Sequence, residues 1–129
     1  MSQEKNIIAI ATPAGAGAVS VIRISGPEAW SLVAGQFKSI RDKDLLKQKS
    51  HSIHLGHITD GDKIIDQVLV SLFKGPNSYT GENVVEINCH GSSYIQQEIL
   101  QLFLRKGCKM AAGGEFTLRA FLNGKLDLS

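Results

Sequence analysis

The chain has 129 residues, 43% hydrophobic and 20% charged, with a formal net charge of +2. Those values suit one ordinary globular domain and, with no long basic run, give little support to direct nucleic-acid binding. No apolar run approaches the roughly 20 residues a membrane-spanning helix needs. The start, MSQEKNIIAIATPAG, lacks the basic opening and long apolar stretch of a secretion signal. Cys89 and Cys108 are far apart and form no CxxC pair, so they read as two buried thiols in a reduced, cytosolic chain.

In chain order, residues 6–12 (NIIAIAT) read as a short strand, broken by Pro13 and the small residues up to Gly17. Residues 18–25 (AVSVIRIS) read as a second strand, β-branched at Val19, Val21, Ile22 and Ile24. Arg23 falls on the face of Val19 and Val21, against the apolar pattern, and its plainest reading is an edge-strand arginine in water. Ser25-Gly26-Pro27-Glu28 has the spacing of a capping box. It predicts a helix that turns Trp30, Val33, Ala34 and Phe37 inward. Residues 38–50 are charged and aperiodic and read as a surface connection, with Lys43, Lys47 and Lys49 as a thin basic cluster broken by Asp44.

Residues 52–59 and 63–74 predict a hairpin around Asp60-Gly61-Asp62. The second strand is apolar enough to suggest burial on both faces. His51, His54 and His57 recur every three residues, but a strand turns His54 away from the other two, which argues against a zinc site.

Residues 76–91 (PNSYTGENVVEINCHG) form the pivot of the chain. Turn-formers give way to a strand in which Val85, Ile87 and Cys89 point one way and Glu86, Asn88 and His90 the other. Ser93-x-x-Gln96 is a second capping-box match, opening a helix with Ile95, Ile99, Leu102 and Phe103 buried and Gly107 at its end. A short strand at 108–111 and a brief helix at 115–122 follow, closed by Asn123-Gly124. The order predicts an α+β fold, a mixed sheet with helices packed on one side.

Nucleotide and hydrolase signatures fail. Gly15-x-Gly17 is followed by Ser20 and a strand, which supplies no helix N-terminus for a phosphate. Gly124-Lys125 resembles the end of a Walker A, but Arg119 stands where its glycine should and Leu126 follows the lysine. Cys89 and His90 are adjacent on a strand and diverge, and no GxSxG elbow is present. What remains is a binding set: Glu86, Asn88 and His90 on one face, Arg23 in an apolar strand, and Glu115, Arg119, Asn123 and Lys125 near the end. A carboxylate suits a flat heterocycle with adjacent N–H and amino donors, and Arg23 or Lys125 suits an anionic tail. The competing readings are a wet sheet face or one covered by a second chain.

Three stretches, ATPAGAGAVSVIRISGPEAW, GPNSYTGENVVEINCHG and GGEFTLRAFLNGKLDLS, together resemble the N-terminal domain of the MnmE/TrmE tRNA-modification GTPase family. The resemblance spans the chain in the family's order, with residues 38–50 matching least. It implies a fold like the folate-binding domains of the glycine-cleavage T-protein type. It implies binding of 5-formyl-tetrahydrofolate or a related one-carbon tetrahydrofolate, and a homodimer with the pocket near its interface and the opening strand against the other copy.

Carried over position by position, the cofactor contacts fall on Arg23, Glu86 and Lys125. The resemblance supplies no catalytic residue and no metal ligand. Residues 1–122 would be the folate-binding and dimerisation domain, and 123–129 the start of a linker into a helical domain. GTP, Mg and K would belong to a separate G domain, so GTPase activity is expected of the parent protein, and whether this chain alone is an enzyme stays open. With the flavoprotein MnmG (GidA), the family modifies the wobble uridine of tRNA at carbon 5, in the cytoplasm and without a membrane.

The chain departs from the family at Ala14 to Gly17, where a basic residue is usual, and at Ala112-Gly113, where a proline is usual. Ser92 also stands in place of a second glycine after His90. Two other readings are a ligand-free dimerisation or tRNA-docking module and a folate-dependent one-carbon transferase.

Overall fold

A computed structural model describes residues 5–12 and 17–124 of the chain. Seven strands form one sheet, in the order β3-β4-β5-β6-β2-β1-β7. They are β1 (Ile7–Ile10), β2 (Val19–Ser25), β3 (Phe37–Ser39), β4 (Ser52–Asp60), β5 (Lys63–Phe73), β6 (Val84–His90) and β7 (Lys109–Met110). Only β1 and β7 run parallel, so the sheet is mixed as the pattern predicts. Helices α1 (Ala29–Ala34) and α2 (Ser93–Arg105) cover its inner face. The short α3 (Glu115–Leu122) approaches the other face beside β2.

The period-two alternation builds the inner face. Cross-strand partners Ile8, Ile24, Val85 and Leu72 form one buried row. Ile22, Ile87 and Val70 form the next. Val33 from α1 and Ile99, Leu102 and Phe103 from α2 pack against them. Trp30 is half-buried against this core, and its indole N–H donates to the Phe73 carbonyl at 3.1 Å.

Several expectations are corrected. Arg23 is not on an edge, because β2 lies between β1 and β6. Phe37 is not helical: α1 stops at Ala34, and Phe37 opens β3 against Ile58. The 38–50 stretch also contains a 3-10 turn, Leu45–Lys47, capped by the Asp44 carboxylate. β5 is buried on one face only: α2 packs on the side of Val68, Val70 and Leu72, while Ile64 and Leu69 stay exposed.

Neither capping box forms. Ser25 Oγ bonds Thr80 and Glu82 instead, and Glu28 bonds Asn6. Ser92, one residue earlier than expected, caps α2, while the Gln96 amide reaches Ser20 Oγ. In both cases a tertiary partner outcompetes the local bond. The linker expected at 123–129 lies mostly outside the described residues.

Geometry demands glycine at several positions, Gly61 and Gly56 among them. Gly61 takes φ 61 in the hairpin turn, a left-handed conformation a side chain resists. Gly56 sits where β4 passes β3, and a Cβ there would overlap the Lys38 carbonyl and the Phe37 ring. Gly56→Ala is expected to lower unfolding stability by about 1–3 kcal/mol through overpacking. Urea denaturation checks this, and an unchanged midpoint would place β3 further from β4 than described.

Candidate functional site

The outer face carries the polar set. Pairing across the sheet puts Ala9, Arg23, Glu86 and Ser71 in one row, and Val21, Asn88, Leu69 and Leu55 in the next. Arg23 Nε donates to Glu86 Oε2 at 2.8 Å, and the side chains remain 22% and 25% exposed. Their neighbours in the row, Ala9 and Ser71, are too short to roof the pair.

The roof comes from elsewhere. The Arg23 guanidinium carbon lies 4.9 Å from the Tyr79 ring centroid and 5.3 Å from that of Phe116, within cation–π range. Among the described residues Nε makes the one hydrogen bond of this guanidinium, and Glu86 Oε1 has no partner. Donors and an acceptor are therefore available side by side on a half-shielded surface.

A polar clamp holds that roof. Ser25 Oγ lies 2.7 Å from both Thr80 Oγ1 and Glu82 Oε1. Arg119 of α3 donates to Glu82 Oε1 at 2.9 Å, to Glu115 Oε2 at 3.2 Å and to the Lys5 carbonyl at 2.8 Å. Asn123 donates to the Thr80 carbonyl at 2.9 Å, and the Tyr79 hydroxyl meets Thr117 Oγ1 at 3.1 Å. The 74–83 loop, which brings Tyr79, and α3, which brings Phe116, are thus fastened to the end of β2.

Two residues beyond Glu86, a groove of about 400 Å³ runs past Asn88 and His90 over Val19, Leu55 and Leu69. His90 is fixed by Asp66, whose carboxylate accepts from the His90 main-chain N–H at 2.8 Å and lies 2.7 Å from Nδ1.

The structure brings Arg23 and Glu86 into contact and places Asn88 and His90 beside them on the same face. It assigns Arg119 and Asn123 to the clamp. Lys125, the third expected contact, lies outside the described residues. Sequence reasoning missed Tyr79, Phe116, Glu82 and Asp66. An aromatic residue in a loop rich in Pro, Ser and Gly was the available signal for Tyr79.

His54 is buried on the inner side, 2.8 Å from Ser52 Oγ, with its pKa lowered by burial and then by Lys43. Burial pushes both thiols from 9.0 to about 11, and the Asp66 carboxylate adds to the effect at Cys89. They are therefore inert core groups at neutral pH.

The fold and site define a small α+β domain with an ion pair set in its open sheet face. Residues 6–125 match the family described as "GTP-binding protein TrmE N-terminus". The chain is 68% identical over 129 residues to the "tRNA modification GTPase MnmE" of Flavobacterium johnsoniae, covering 100% of this chain and 28% of that protein. Against the protein of the same name from Bacteroides thetaiotaomicron it is 53% identical over 130 residues, covering 100% and 28%. Against that from Bacillus pumilus it is 49% identical over 125 residues, covering 95% and 27%. The chain belongs to the TrmE N-terminal family, and it spans little more than a quarter of these relatives.

The thiols give a pH prediction. Both hold their protons more tightly folded than unfolded, so the unfolded chain deprotonates first as pH climbs. The stability they contribute is intact below about pH 9 and is lost toward about pH 11. Urea midpoints should fall more steeply over that window in the native chain than in a Cys89→Ala/Cys108→Ala variant. Equal slopes would contradict the burial of the thiols.

Proposed function

We propose that this chain binds a reduced one-carbon folate, 5-formyl-tetrahydrofolate or a close relative, on the Arg23–Glu86 face. In this reading it also pairs with a second copy of itself, as the N-terminal module of a tRNA-modifying GTPase. The observation that carries the proposal is an ion pair inside a sheet, flanked by Ala9 and Ser71, with its outward hydrogen-bonding capacity unspent among the described residues. As a stability device such a pair is weak, because desolvation offsets most of its attraction. As a recognition device it is apt. Glu86 Oε1 accepts from the ring N–H and amino donors of a pterin edge, and the Arg23 guanidinium donates to its carbonyl or to an anionic group. The aliphatic groove past Asn88 accepts the aromatic portion of such a ligand.

Pairing of copies is supported at the sheet's other edge. β7 covers β1 only at Ile7 and Ile8, so the main chain of β1 at Ile10 runs on beyond its neighbour. Open edges of this kind are hidden by association across a two-fold axis. Within the proposal, GTP hydrolysis with Mg and K, joint action with MnmG and contact with tRNA in the cytoplasm belong to the longer protein.

Calorimetry with 5-formyl-tetrahydrofolate tests the ligand. Glu86→Ala should weaken binding at least about tenfold, as loss of one charged hydrogen bond does. Unchanged affinity would remove Glu86 from the site. Sedimentation of the same samples should give a dimer mass. A ligand-free dimer would favour a docking module, and a monomer would overturn pairing.

A further inference from the structure

Segment 38–49 carries five cations, Lys38, Arg41, Lys43, Lys47 and Lys49, against the carboxylates of Asp42 and Asp44. The chain's net charge is only +2, so the remainder is slightly acidic and the basic character is local. Folding places Arg41 and Lys43 on the rim of a second groove, of about 330 Å³, whose walls include Ile40, Ile53, Leu55 and Leu69. These four aliphatic side chains are 52%, 65%, 42% and 42% exposed. A single exposed aliphatic residue needs no explanation, but a contiguous set around a concavity marks a contact surface. Among the described residues, the side chains of Arg41 and Lys43 have no hydrogen-bond or ion-pair partner.

The main chain beside this groove is open as well. Thr59 N donates to the Gln36 carbonyl and Ile40 N to the Leu55 carbonyl, so alternate residues of β4 turn their main-chain groups toward β3. Ile53 shares that alternation. The residue that would face it is Asp42, which takes φ 55 and bonds back to Ser39 instead. β3 therefore turns away where Ile53 still presents an N–H and a carbonyl to the edge. Lys38, exposed on β3, guards the edge only alongside β3 itself.

We propose that this groove and the open edge at Ile53 receive an extended acidic segment of a partner protein. The segment adds as a short strand beside Ile53 and seats an aliphatic side chain among Ile40, Leu55 and Leu69. Its carboxylates lie against Arg41 and Lys43, giving strand addition with charge complementarity. A nucleic-acid backbone would satisfy the two cations but leave the aliphatic walls and the strand edge unused. Ile53 stands in the same cross-strand row as Glu86, with Ser71 between them, and Leu55 and Leu69 are shared with the groove past Asn88, so the test is run on the folate-free chain.

The test is a titration of the isotope-labelled chain with a blocked acidic hexapeptide, Asp-Glu-Val-Ile-Glu-Asp, followed by amide chemical shifts. Saturable shifts are expected at Ile40, Arg41, Ile53 and Leu55, with slowed hydrogen exchange at the Ile53 amide. The same peptide with lysine for every acidic residue should not bind. Arg41→Glu/Lys43→Glu should weaken binding at least about tenfold, because like charges then face each other. Both side chains are exposed, so that variant should keep a dispersed spectrum. If it does not, Ile53 exchange and the loss of affinity at higher salt in the native chain still decide the matter. Absence of saturable shifts, equal binding of the lysine peptide, or shifts at these amides with an oligouridylate but not the acidic peptide would overturn the proposal. So would shifts at these amides that follow protein concentration alone, which would assign the surface to a second copy.

Discussion

The Arg23–Glu86 ion pair is the constraint on which the outer face depends. Register places the two side chains opposite each other on interior strands, where neither can escape to an edge. The chain accommodates them with the short side chains of Ala9 and Ser71 on either side. The Tyr79 and Phe116 rings shelter the guanidinium. The Ser25–Thr80–Glu82–Arg119 network fastens the loop and helix that bear those rings to the end of β2. Arg119 bonds neither member of the pair, yet it holds the helix that carries Phe116 over the guanidinium.

The two faces of the sheet divide the work. The inner face is a continuous aliphatic core closed by α1 and α2, and it accounts for the stability of the domain. The outer face is only partly covered. Its β2–β6 half holds the ion pair, the groove past Asn88 runs from β6 over Leu69 and Leu55 of β5 and β4, and the basic groove opens on the other side of those two leucines. The proposed ligand and the proposed partner segment both meet the domain on that open surface. Proposals for both rest on the same asymmetry.

Much of this was legible in the chain itself. The alternation of Val85, Ile87 and Cys89 against Glu86, Asn88 and His90 fixed which face was core. The break at Asp60-Gly61-Asp62 marked the hairpin. The oddity of Arg23 among β-branched neighbours marked one half of the ion pair, although its position in the sheet was misjudged, because strand order is non-local and periodicity cannot report it. The capping boxes failed for a related reason: Ser25 and Gln96 found partners 55 and 76 residues away, which local spacing cannot anticipate. β3 was hidden because three residues carry too little pattern, and Phe37 fitted the helical period of Trp30 and Val33 as well as it fits a strand. Tyr79 and Phe116 reach Arg23 from loop and helix, a convergence that only the fold creates.

The central claim is that Arg23 and Glu86 together form the polar floor of a ligand site. The Nε–H resonance of Arg23 reports on it directly, since that proton lies between the two side chains. Titration with 5-formyl-tetrahydrofolate should shift and sharpen this resonance in step with the bound fraction. Saturation of the protein with the folate while the resonance stays unmoved would place the ligand elsewhere and reduce the pair to a structural ornament of the sheet.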